Sequence, residues 1–160
     1  MAIRNIREMG DEVLRKKSKE VKEMTPRLRS VVDDMLETLY QVGGVGLAGP
    51  QVGILKRIVV MDVSEEQNAP VVLINPEILE TAGSQTGKEG CLVDPGKHAQ
   101  VTRPSYVKVR AQNVEMEPIE LEATDLLARC VLHECDHLDG ILYVDKKDGP
   151  LLDNEADEEE

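Results

Sequence analysis

At 160 residues the chain is long enough to bury a core of its own and fits one domain of ordinary size. Hydrophobic residues make up 41%, and no apolar run approaches the length of a bilayer span, so a membrane protein is excluded. The net charge of −12, with Tyr40, Tyr106 and Tyr143 as the only aromatics, argues against DNA and other polyphosphate partners, which need clustered cations and stacking rings.

The opening MAIRNIREMG lacks the apolar stretch of a signal peptide. Cys91, Cys130 and Cys135 make an odd set that does not suit a disulfide framework. A reducing, cytoplasmic setting is expected, where a thiolate is free to bind metal.

In chain order, the first strong element is a long helix in the N-terminal part, about Thr25 to Val42. Thr25 caps it, Pro26 suits its first turn, and Leu28, Val31, Val32, Met35, Leu36, Leu39 and Tyr40 form one apolar face before Gly43 and Gly44 end it. Gly43 to Gln51 holds four glycines and a proline and marks an unusual backbone path; small residues let a substrate main chain approach closely, and Gln51 offers a neutral donor. Arg57–Val63 and Val71–Ile74 read as strands, with Glu77–Thr81 as a further one after Pro76. Tyr106–Gln112 and Pro118–Ala123 alternate in polarity and read as a hairpin turning at Asn113–Glu117. A second helix runs from Thr124 or Asp125 to about Asp139, stopped by Gly140. Strands between two helices without strict alternation predict an α+β fold. Residues 1–150 are expected to form a single catalytic domain. Residues 151–160 read as an acidic, disordered tail that carries six carboxylates and no base.

The chemistry concentrates in His133-Glu134-Cys135-Asp136-His137. Residues four apart share a helix face, so both imidazoles reach one metal ion, while Glu134 is turned to act as a base on metal-bound water. A third ligand is needed. Cys135 faces elsewhere on the helix, Cys130 reads as a buried thiol near the site, and His98 as a loop or rim residue. Cys91, in Lys88-Glu89-Gly90-Cys91-Leu92, ranks first. A peptidase of the H-E-x-x-H type with a carboxylate as third ligand is the rival reading, and an inactive metal-binding relative is another.

Three segments in order, Gly44-Val45-Gly46-Leu47-Ala48-Gly49-Pro50-Gln51, Glu89-Gly90-Cys91-Leu92-Val93 and His133 to His137, resemble the motifs of peptide deformylases, which remove the formyl group from the N-terminal formylmethionine of nascent proteins. The resemblance reaches about Val144. It departs at Gly49, where the family usually has Ala, and at Val93, where it usually has Ser.

The resemblance implies mixed or antiparallel sheets packed around a central metal-binding helix. It implies Cys91, His133 and His137 as ligands of one divalent ion: Fe(2+) in cells, with Zn(2+), Ni(2+) and Co(2+) as alternatives. Water takes the fourth place and attacks the formyl carbon, Glu134 serves as general base and then acid, and Gln51 with the Leu92 N–H stabilises the oxyanion. Gly44, Val45 and Gly46 pair with the substrate main chain, while Val45, Leu126, Cys130 and His133 hold its methionine side chain. Glu89 and Gly90 are also placed at the substrate, with Glu89 reaching Arg103. The implied partners are N-formylmethionyl nascent peptides and, at most, a transient contact with the ribosome. A monomer is expected.

Overall fold

Thr25 accepts a hydrogen bond from the Leu28 N–H (3.1 Å) and so satisfies an end of helix α1, Pro26–Val42. Gly43 ends it in the left-handed region, at φ +73. The computed structural model describes residues 3–154. The long helix therefore starts well after the N-terminus. The residues before it include a short 3-10 turn, Glu12–Arg15, and lie along the body of the fold. Arg4 ties this segment down by pairing with the buried Asp34 (2.9 Å) and donating its N–H to Thr38 (2.8 Å), both on α1.

Strands β1 (Gly46–Ala48), β2 (Ile58–Met61), β3 (Val71–Ala82), β6 (Tyr106–Gln112) and β7 (Pro118–Thr124) form an antiparallel sheet in the order β1-β2-β3-β6-β7. Strands β4 (Gln85–Glu89), β5 (Lys97–Arg103) and β8 (Leu152–Asp153) form a second sheet, in the order β4-β5-β8. Helix α2, Asp125–Leu138, follows β7 directly. The larger sheet carries a core on each face. α1 packs through Val31, Val32, Met35 and Leu39 onto Leu47, Ile58, Val60 and Ile74. α2 packs through Ala128, Val131 and Leu138 onto Ala48, Val59, Met61 and Leu73. β2 is buried at every position, Ile58 to Met61, because it lies between the two helices.

The β6–β7 hairpin pairs Tyr106 with Thr124 through Gln112 with Pro118, leaving 113–117 as the turn. Three readings change. First, Pro76 does not separate two strands: β3 continues through it with register shifts between Ile74 and Glu77 and between Ile78 and Glu80. The irregularity accommodates a residue without an N–H. Asn75, at φ +53, bonds there to both the N–H and the C=O of Val21 (2.8 Å each). Second, the tail does not begin at 151, because Leu152 and Asp153 pair with His98 and Lys97 of β5; residues 155–160 lie outside the described residues. Third, His98 is a buried strand residue bonded through Nδ1 to the Asn154 side chain (2.7 Å), not a loop residue.

Gly49 has a steric reason. A Cβ there would sit 2.5 Å from the Ile54 carbonyl oxygen and 2.7 Å from that of Lys56. A glycine at this position is thus demanded by the local backbone and does more than loosen the loop. Gly49→Ala is expected to cost about 1–3 kcal/mol, the usual range for overpacking, seen as a lowered urea midpoint. A second prediction concerns Asp62, just after β2. Burial pushes its carboxyl up, but donors from Ser64, Tyr40 and Ala69 outweigh this and hold it down at about 2. A depressed carboxyl stabilises the fold above the unfolded-state pKa and stops doing so as pH falls through the folded one. The difference in urea midpoint between wild type and Asp62→Asn should be constant above pH ~5 and close as pH drops toward ~2.

Candidate metal centre

α2 displays His133 and His137 one turn apart, and the segment after β4 brings Cys91 against them. The Cys91 Sγ lies 3.2 Å from His137 Nε2, and one ligand atom from each of Cys91, His133 and His137 falls within 4.8 Å of the others. Among the described residues this is the one such group found. A thiolate with two imidazoles is a borderline-soft donor set that suits zinc and the later divalent transition metals.

Two further features fit an ion here. Burial leads the effects that lower His137 to about 3, so its imidazole is neutral, as a ligand must be. Glu134 Oε1 is buried with no hydrogen-bond partner among the described residues, a costly state for a carboxylate unless something polar is meant to meet it. Burial also pushes the Glu134 carboxyl up to about 7, with His133 working the other way.

The strongest structure around the centre is a charge cluster. Glu89, the last residue of β4, is buried, and its Oε1 meets His133 Nδ1 at 2.5 Å. That leaves Nε2 of His133 for a metal. Arg103 from β5 clamps Glu89 through Nε (2.9 Å) and a terminal nitrogen (2.7 Å), and reaches Asp136 with the other (3.0 Å). Arg129 of α2 takes the outer oxygen of Glu89 at 2.6 Å. Burial alone would raise the Glu89 carboxyl, but His133 and Arg103 hold it well below the ordinary range.

Glu89 borders the cleft, with both its oxygens held by His133 and the two arginines. Arg103 is buried and belongs to this cluster, bonded to Glu89. Arg129 and Asp136 were missed. Arg129 stands four residues before His133, so a cation on the buried face of the ligand helix was the available signal.

A cleft of ≈ 450 Å³ opens over the centre, bordered by Gly44, Val45, Gly46, Gln51, Gly90, Cys91, Leu92, Leu126, Cys130, His133 and Glu134. The site residues named from the sequence thus border this cleft, apart from His137, which is fully buried and meets it through Cys91 and His133. Gln51 accepts from the Ala48 N–H through Oε1 (2.7 Å), which turns its amide nitrogen toward Cys91, 3.5 Å from Sγ. Gly46 lets β1 pass directly over α2, since a Cβ there would lie 2.6 Å from both Cys130 Sγ and Glu134 Oε2. Leu126 is half exposed at the rim, whereas Cys130 is buried with its thiol 3.6 Å from the Val45 carbonyl oxygen. Val93 is fully buried against Leu14 and Leu142, and its carbonyl accepts from the Met9 N–H (2.6 Å). The branched side chain thus fills an apolar cluster that anchors the N-terminal segment, where the hydroxyl usual in the resembled motif would have to find a buried partner.

Comparison with known proteins agrees with this geometry. Residues 3–151 match the family model for polypeptide deformylase. A peptide deformylase of Lachnoclostridium phytofermentans is 59% identical over 161 residues, covering 100% of this chain and 99% of the relative. One from Agathobacter rectalis is 60% identical, covering 96% and 95%. The crystal structure of peptide deformylase from Thermotoga maritima superposes with a TM-score of 0.88 at 42% identity, covering 92% of this chain and 99% of that one. The enzyme from Synechococcus elongatus, solved in complex with actinonin, gives 0.89 at 44% identity, with 91% and 81% covered. This chain belongs to the polypeptide deformylase family.

Proposed function

We propose that the cleft removes the formyl group from N-formylmethionyl nascent peptides and releases formate, with Cys91, His133 and His137 holding one divalent ion. The observation that carries this reading is the convergence of these three ligand atoms with the partnerless Glu134 oxygen and the Gln51 amide at one cleft. When bound, such an ion polarises a carbonyl and lowers the pKa of water.

The chain's own groups do the rest. Glu134 Oε1 takes a proton from the attacking water and passes it to the leaving amine, a role suited to a carboxyl raised to about 7. The Gln51 amide and the Leu92 N–H donate to the carbonyl oxygen as negative charge builds on it. Gln51 pays little reorganisation, because its oxygen is already held by Ala48. β1 is an edge strand, so the substrate main chain adds alongside Gly44–Gly46, and only the first side chain is read, by Val45, Leu126 and Cys130.

Ferrous iron is the ion we assign in cells; zinc, nickel and cobalt suit the same donors. Among the described residues no helix is long and apolar enough to cross a membrane. We place the enzyme in the cytoplasm as a monomer, meeting its substrate through no more than a transient contact with the ribosome. Actinonin, present with the Synechococcus elongatus relative, is expected to compete with substrate for this cleft.

The direct test is formate release from a formyl-Met tripeptide by the ferrous enzyme under anaerobic conditions. Glu134→Ala should keep the ion yet lose about 10²–10⁴-fold in rate, the usual weight of a general acid–base group. Cys91→Ala should lose the ion. Retention of metal by Cys91→Ala would favour a peptidase with a carboxylate ligand, and no formate from the loaded wild type would overturn the assignment. Gly46→Ala should also fall sharply in kcat, because its methyl displaces Glu134.

A further inference from the structure

The ligands of the centre come from two separate pieces of chain, the turn at Cys91 and helix α2, and one buried residue touches both. Tyr143 opens the 3-10 turn Tyr143–Asp145 after α2 and is only 1% exposed. Its hydroxyl donates to Asp94 Oδ2 at 2.8 Å. Asp94 in turn closes the ligand segment on itself, its N–H donating to the Cys91 carbonyl at 3.0 Å. The Tyr143 ring stacks on His133, centroids 6.2 Å apart and planes 27° from parallel. It also packs with Ala99 and Val101 in a cluster that has Cys91 at its margin.

The mount is rigid. Asp145 accepts from the Leu142 N–H (2.9 Å) and pairs with Arg15 (2.5 Å), and the Lys146 N–H closes the turn on the Tyr143 carbonyl (3.0 Å). Val93, inside the Cys91–Asp94 turn, has no polar side-chain atom to fix it, so the Tyr143–Asp94 bond is a polar side-chain tie that the turn can use.

We propose that Tyr143 is a positioning residue that straps the Cys91 turn onto His133, holding the thiolate in register with the two imidazoles before an ion arrives. This rests on the ligand set of the preceding section. Tyr143 touches no reacting atom; it acts through Asp94 on one ligand and through ring contact on another. Losing the strap lets the thiolate swing, so the ion leaves faster, while a centre that remains loaded keeps its chemistry.

The test loads the full chain with zinc and follows its release to a chromogenic chelator. Tyr143→Phe, which removes a single oxygen, should release zinc about tenfold faster, the lower end of what outer-shell partners contribute. The kcat of the loaded fraction should stay near wild type. Asp94→Ala should match it, Asp94→Asn should restore slow release because it keeps an acceptor oxygen, and Tyr143→Phe with Asp94→Ala together should be no faster than either alone. In the cobalt-substituted chain, the thiolate-to-cobalt absorption should weaken in Tyr143→Phe and recover in Asp94→Asn. A merely structural tyrosine would lower the melting temperature without moving that band. Release at the wild-type rate from Tyr143→Phe, or additive effects in the double variant, overturns the strap. A wild type that takes up no zinc defeats the ligand set itself, and the strap with it.

Discussion

The carboxylate of Glu89, buried with Arg103, Arg129 and His133 around it, is the constraint on which the rest of the site depends. Taking a carboxylate out of water costs several kcal/mol, and the cost is offset only where partners surround it with good geometry. Here the cluster draws on three elements. β4 brings Glu89, β5 brings Arg103, and α2 brings Arg129, His133 and, through Arg103, Asp136. Satisfying one charge therefore fixes the smaller sheet against the ligand helix, and it does so at the residue two before Cys91. Breaking one member of such a cluster leaves an uncompensated buried charge, about 3–5 kcal/mol. The same bonds set the His133 tautomer, so folding and metal readiness are one event.

A second constraint is closeness. β1 crosses α2 at Gly46 with no room for a side chain, and this places an open strand edge beside Glu134. The larger sheet is clamped between α1 and α2, which keeps that edge stiff. Under the proposed function, a peptide that pairs with this edge meets the carboxyl and the thiolate there. The Gln51 amide is pre-aimed by Ala48 for the same reason.

Much of this was legible in the residues. α1, the β6–β7 hairpin and α2 each show one clean hydrophobic period, and each stands within a residue or two of its expected bounds. β4, β5 and β8 were not legible. Their inward positions include Glu89, His98 and Arg103, so the alternation that marks a strand is absent where charges replace the apolar side chains. β8 hides in a stretch whose composition reads as a tail, and only its pairing with β5 makes it a strand.

What the sequence by itself determined is the pair of imidazoles with their carboxylate, because an i, i+4 spacing on a helix is local geometry. The Gly-flanked Cys91 and the glycine-rich segment were visible as types of residue whose use depended on a partner elsewhere. Only the tertiary structure decided that partner: Glu89 beside His133, Arg129 beside Glu89, and Tyr143 between Asp94 and His133. The hydrogen bonds among these contacts join residues 40 to 49 positions apart, on surfaces that exist only after the two sheets have closed on α2. No local pattern encodes them, since burial of a charge is affordable only when its counter-charge arrives from another part of the chain.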